Sequence, residues 1–158
     1  MKIKKAMTHQ VCACSPADTL NRAAQLMWEG DYGALPVVDD RRHVVGVVTD
    51  RDICMGTYTR GVPLSGATVS SVMSKQLFTC LPDDDVGEVE RLMREQQIRR
   101  VPVVNSSGEL LGIVTLGDLA RFSQSSAFQK AKGGLAVAKT LASICEPPAP
   151  HHRPAAAE

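Results

Sequence analysis

Aromatic side chains are scarce in this 158-residue chain: three Phe, two Tyr and one Trp, 4% of the total. The core must therefore come from Val, Leu, Ile, Met and Ala, and no stacking platform for single-stranded nucleic acid is visible. Net charge is also missing. A formal value of +1 gives no global attraction to nucleic acid or to an anionic membrane, so any phosphate binding has to be local. No apolar run approaches the roughly 18 residues that a membrane span requires. The N-terminus, MKIKKAMTHQ, is basic but lacks the apolar stretch of a secretory signal. Five cysteines, an odd count without a signal, point to reduced thiols and a cytoplasmic protein. A P-loop, a dinucleotide-binding glycine fingerprint and a zinc motif are all absent, and His9 and His43 have no catalytic context. No catalytic residue is assigned and none is expected, although dispersed catalytic groups would leave no motif.

What is there is a repeat. At 44% apolar and 22% charged, the composition is that of a globular domain. Residues 3–55, shifted by 66 positions, fall on residues 69–121 without a gap. About 15 of about 53 aligned positions are identical, and many others exchange one aliphatic for another. Met7 matches Met73, Cys14 matches Cys80, and Pro36-Val37-Val38 matches Pro102-Val103-Val104. Two copies are too few for a solenoid, so a compact pseudo-symmetric pair is expected.

Each copy reads as β-α-β-β-α, an α+β fold whose two motifs pack through their sheets. A short alternating stretch (11–14; 77–80) precedes a helix with Asp18/Thr19 or Asp84/Asp85 as N-cap candidates. Leu20, Ala23, Ala24 and Met27 form the i, i+3, i+4, i+7 stripe of a half-buried helix, and Val86, Val89, Leu92 and Met93 follow in the second copy. β-branched runs at 35–38 and 44–48, and at 101–104 and 110–114, flank polar turns and read as hairpins. A short helix closes each copy. The expected divisions are motif 1 at 1–58, a linker at 59–68, motif 2 at 69–123, a helical extension at 124–145 and a disordered Pro/Ala-rich tail at 146–158. The extension is read as a weak helix that Gly133-Gly134 would interrupt.

The residues with most chemical promise are two copies of Gly-h-h-Thr-x-x-Asp, GVVTDRD at 46–52 and GIVTLGD at 112–118. In each, a buried strand runs into a helix N-terminus, whose free N–H groups and dipole favour anions. A carboxylate on the first turn can accept two hydrogen bonds from the cis-diol of a ribose. The same Thr-x-x-Asp spacing is close to a capping box, in which both side chains merely satisfy the helix start. Local sequence leaves both readings open.

In order and in duplicate, PADTLNRAAQLM and PDDDVGEVERLM, ALPVVDD and RVPVVNS, and the two Gly-h-h-Thr-x-x-Asp segments resemble a tandem pair of CBS domains. The likeness covers residues 3–121. It implies two facing sheets with ligand clefts between the motifs and a regulatory, non-enzymatic role as a stand-alone module. The ligand class it implies is adenosyl: AMP, ADP or ATP, with S-adenosylmethionine or NAD bound by some members. Asp52 and Asp118 would hold ribose hydroxyls, and Thr49 and Thr115 would contact the ribose or α-phosphate. Val11 and Leu77 would line the adenine pocket, while Arg51, Arg99 and Arg100 would meet phosphates. The copies differ at these cations, so inequivalent sites are expected. The family also implies a homodimer and an unidentified effector protein as partner.

Other features read as structural. Cys12 and Cys14 lie on one face of a strand and suit a core better than a metal site. Met27 and Trp28 read as core or interface residues, and His151-His152 as incidental. The competing function class is a ligand-free interaction module whose surface serves a partner.

Overall fold

The computed structural model describes residues 1–123 and 133–145. In the first repeat, helix α1 (Leu20–Gly30) leads to strands β1 (Ala34–Val38) and β2 (Val44–Thr49) and to helix α2 (Asp50–Arg60). The second repeat supplies α3 (Val86–Gln96), β3 (Arg100–Val104), β4 (Leu110–Thr115) and α4 (Leu116–Ser123). A further helix, α5, spans Gly133–Cys145. Thr19 caps α1 by accepting the Arg22 N–H, and Asp85 caps α3 reciprocally with Glu88. The stripe read from the sequence is the buried face: Leu20, Ala23 and Met27 on α1, Val86, Val89 and Met93 on α3.

The two hairpins are copies of each other down to the defect. Ala34 pairs with Thr49 and Arg100 with Thr115, and a bulge falls after Val37 in one and after Val103 in the other. In the turns, the Asp39 carboxylate accepts the N–H groups of Arg41 and His43, and the Asn105 side-chain oxygen accepts those of Ser107 and Glu109. Position 42 holds φ 65° with Arg, whereas its counterpart Gly108 holds φ 89° with the residue such angles favour.

The stretches read as a first strand are reduced to single parallel bridges, Cys14 to Val37 and Cys80 to Val103. The residues leading into them do something the sequence did not announce: they cross over. Ile3 and Met7 pack in the second repeat's core beside Val86, Met93 and Leu119. Val69, with Val72 and Met73 beside it, packs in the first repeat's core. The Ile3 N–H donates to the Asp84 carbonyl, and the Val69 N–H to the Asp18 carbonyl. Thr8 bridges to Ile113, and Ser74 to Val47. Gly46 and Gly112 permit this approach. A Cβ on Gly112 would sit 2.5 Å from the Thr8 carbonyl oxygen, and one on Gly46 2.8 Å from that of Ser74. Neither core is complete without the other repeat.

Between the sheets lies a third apolar layer, in which Val44, Val104 and Leu110 pack with Val11, Val38 and Leu77. At its edge the hairpin tips pair, His43 bridging to Glu109. The stretch between the repeats is also held in place, because the Leu20 N–H donates to the Ala67 carbonyl and Leu64 packs on the first core.

Gly133 and Gly134 are the first residues of α5, and residues 124–132 of the expected extension lie outside the described residues. This helix lies on α3 and α4, with Val137 and Ile144 buried in the second core. Arg94 Nη1 donates to Thr140 Oγ1 at 3.0 Å. The expected tail at 146–158, His151-His152 included, lies outside the described residues. On the first repeat the equivalent groove between α1 and α2, lined by Ala24, Met27, Trp28 and Ile53, has no covering helix among the described residues. Trp28 is no core residue: it is 89% exposed on the rim of that groove.

Candidate functional site

Each Thr-x-x-Asp segment closes a capping box at the strand-to-helix junction. Thr49 N and Oγ1 donate to Asp52 Oδ2 at 2.9 and 2.7 Å, and the Asp52 N–H returns a 3.1 Å bond to Thr49 Oγ1. Thr115 and Asp118 repeat the arrangement at 2.8, 2.7 and 3.1 Å. Capping uses only one oxygen of each carboxylate. Asp52 Oδ1 has no hydrogen bond among the described residues, whereas Asp118 Oδ1 pairs with the Arg121 guanidinium. Asp118 is buried and Arg121 largely exposed. The two readings of the motif are therefore compatible, since a carboxylate can cap with one oxygen and present the other.

Both junctions open onto clefts between the repeats, and eight lining positions of the two clefts correspond. The larger, about 670 Å³, combines Ile113, Thr115 and Asp118 of the second repeat with Thr8, Gln10, Cys12, Tyr32 and Ala34 of the first. The smaller, about 150 Å³, combines Val47, Thr49 and Asp52 with Ser74, Gln76, Phe78, Ile98 and Arg100. Shifting one set by 66 positions gives the other. Only the larger falls in the range of about 300–1,000 Å³ usual for small-molecule sites. It is further walled by Val137 and Leu141 of α5.

The cations read from the sequence divide. Arg99 and Arg100 line the larger cleft, and Arg100 lines the smaller one as well. Its guanidinium reaches towards the first repeat, with Nη2 2.8 Å from where a Cβ on Gly33 would lie. Arg51 is exposed on α2, outside the lining of either cleft. Val11 lines the larger cleft, but Leu77 packs in the apolar layer between the sheets and its neighbours Gln76 and Phe78 face the smaller cleft. Sequence reasoning missed Phe78, Arg121, Gln10 and Gln76. The glutamines carried a signal, being identical in the two copies. Arg121 carried one too, three residues beyond Asp118 on the same helix.

Burial pushes the Cys14 and Cys80 thiols up to about 12, so both are inert apolar side chains at neutral pH. Cys12 is half-buried in the larger cleft. Among the described residues, no group of three or more His, Cys, Asp or Glu side chains is placed to hold a metal ion.

Known proteins show the same organisation. The CBS domain family matches residues 3–55 and again 69–125. The chain is 43% identical over 119 residues to the CBS domain-containing protein YhcV of Bacillus subtilis, spanning 75% of this chain and 82% of YhcV. Hypoxic Response Protein I, solved with two coordinated zinc ions, superposes with a TM-score of 0.70 at 34% identity, over 77% of this chain and 98% of that one. Its namesake in Mycobacterium tuberculosis is 38% identical over 66% of this chain and 72% of its own. CBSX2, solved in complex with AMP, superposes with a TM-score of 0.68 at 27% identity, over 77% and 95%. CBS pairs of this kind are typically regulatory rather than catalytic, and the chain belongs to the CBS domain family, as a tandem pair of its domains.

Proposed function

We propose that this CBS pair is a regulatory module that binds an adenosyl ligand in the Asp118 cleft and passes the binding on to a partner protein. AMP, ADP and ATP head the ligand class, followed by S-adenosylmethionine and NAD. The observation that carries this reading is a cleft of about 670 Å³ in which the Thr115–Asp118 junction faces Arg99 and Arg100. Its walls supply what the ligand needs. Val11, Ile113, Val137 and Leu141 offer apolar area for a base, Asp118 Oδ1 an acceptor for a ribose diol, and the arginines charge for phosphate. The relative solved with AMP shares the fold and supports the class.

Arriving ligand displaces Arg121 from Asp118, because the diol and the guanidinium compete for one oxygen. Regulation requires two conformations that bind ligand unequally. In this reading the two conformations differ in the angle between the repeats. A homodimer and a separate effector protein complete the proposal, as does a cytoplasmic setting; no helix among the described residues is long and apolar enough to cross a membrane.

Thermal unfolding with each ligand tests the reading. Ligand at 100 times its dissociation constant adds about 2.7 kcal/mol, a shift of a few degrees. Asp118→Asn keeps an oxygen for the cap and should abolish the shift. If no ligand shifts the transition, the module serves as an interaction surface instead. The 89% and 80% exposure of Trp28 and Tyr58 favours that second reading.

A further inference from the structure

We infer that the chain holds one nucleotide rather than two, because Phe78 and Arg100 fill the cleft at Asp52 that the repeat would otherwise supply. The inference rests on the adenosyl reading and sharpens it to a stoichiometry and a place.

The argument is a comparison of counterparts. Most lining pairs of the two clefts conserve bulk, yet the volumes are about 670 and 150 Å³. Two exchanges add atoms to the smaller cleft: Phe78 stands where the larger cleft has Cys12, and Arg100 where it has Ala34. Three exchanges remove a few: Ile98 for Tyr32, Val47 for Ile113 and Ser74 for Thr8. A phenyl ring in place of a thiol, with a guanidinium beside it, takes the volume below what a nucleoside requires. The binding chemistry at the junction is intact, since Thr49 and Asp52 keep the same hydrogen bonds as Thr115 and Asp118. The second site is blocked, not dismantled.

Arg100 explains why the block costs the module no charge. It lines both clefts and has no ion pair or side-chain hydrogen bond among the described residues. Gly33, lacking a Cβ, leaves room for its guanidinium on the wall between the clefts. The same side chain that crowds the Asp52 cleft therefore presents its cation to the Asp118 cleft.

Calorimetric titration of the full chain with AMP and with ATP tests the inference. The wild type should bind one ligand per chain, and Asp118→Asn should weaken it at least tenfold. Phe78→Cys, which installs the counterpart residue, should raise the count to two. The double variant Phe78→Cys/Asp118→Asn should regain one site that Asp118→Asn alone lacks; Phe78→Ala repeats the test with a smaller side chain. A measurement that leaves Phe78 in place adds alkylation followed by mass spectrometry. AMP should slow modification of Cys12 at least tenfold and leave a cysteine introduced by Ser74→Cys unprotected. Two ligands per wild-type chain, protection at position 74, or folded Phe78 variants that stay at one would overturn this inference alone. No binding to any variant would overturn the adenosyl reading and this inference with it.

Discussion

The two repeats have one backbone plan and two different surroundings. Their hairpins share register, bulge and turn, and their motif helices share caps. They differ in what lies on either side. The second repeat's helices are covered by α5, whereas no described residue covers the first repeat's groove, which an exposed Trp28 edges. The second repeat's motif faces a large cleft and the first repeat's a small one. Hydrogen-bonded geometry survives duplication because it depends on backbone and a few capping side chains. Volume and cover do not, because a single exchange such as Cys12 for Phe78 or one added helix resets them. Asymmetry of function in a duplicated fold is thus cheap to acquire.

Three measurements bear on that comparison. The largest effect concerns the core beneath α5. Leu119 is 1% exposed and enclosed, while its counterpart Ile53 borders the open groove. Leu119→Ala should cost about 4 kcal/mol in denaturant unfolding and Ile53→Ala about 2 kcal/mol, since a site open to water leaves less of a cavity. Equal losses would mean that α5 does not seal the second core. Next come the glycines of the crossover. Gly112→Ala drives a methyl against the Thr8 carbonyl at 2.5 Å and should cost about 3 kcal/mol; Gly46→Ala, at 2.8 Å from Ser74, should cost about 1 kcal/mol. A reversed order would break the link between cost and closeness of the two backbones.

The smallest effect is one of pH. Glu90 occupies the position of Ala24, is 4% exposed, and its Oε1 has no hydrogen bond. Burial raises its pKa, the Arg94 guanidinium opposes the rise, and the Asp85 carboxylate adds to it. The folded chain therefore keeps this proton to higher pH than the unfolded one does. Stability from the neutral form is complete below the ordinary carboxylate pKa and is lost as pH rises through the raised value. Glu90→Gln should match the wild type in acid and exceed it in stability at neutral pH. A gap that fails to close on acidification would exclude this titration as its source.

Much of this was legible in the chain. The repeat, the helix stripes and the paired hairpins show because each follows from spacing between neighbours in sequence. The motif was legible as chemistry but ambiguous as role, and the structure shows why: Asp118 caps with one oxygen and leaves the other to Arg121. Leu77 illustrates the limit of register reasoning. In an extended segment a shift of one residue exchanges the two faces, so Leu77 enters the apolar layer while Gln76 and Phe78 face the cleft. Trp28 shows another limit, since a helix stripe identifies the buried face but not how far the cover extends beyond it.

By itself, the sequence determined a duplicated α+β pair, the capping residues of its helices and the two Thr-x-x-Asp strand-to-helix junctions. These are local matters of periodicity, propensity and short-range hydrogen bonding. Only the tertiary structure decided that residues 3–7 and 69–73 would exchange cores, that α5 would cover one repeat, and that one cleft would hold about 670 Å³ and the other about 150 Å³. Those outcomes depend on contacts between residues distant in sequence, such as Thr8 with Ile113 and Arg94 with Thr140, where volume and approach distance, not local pattern, set the free energy.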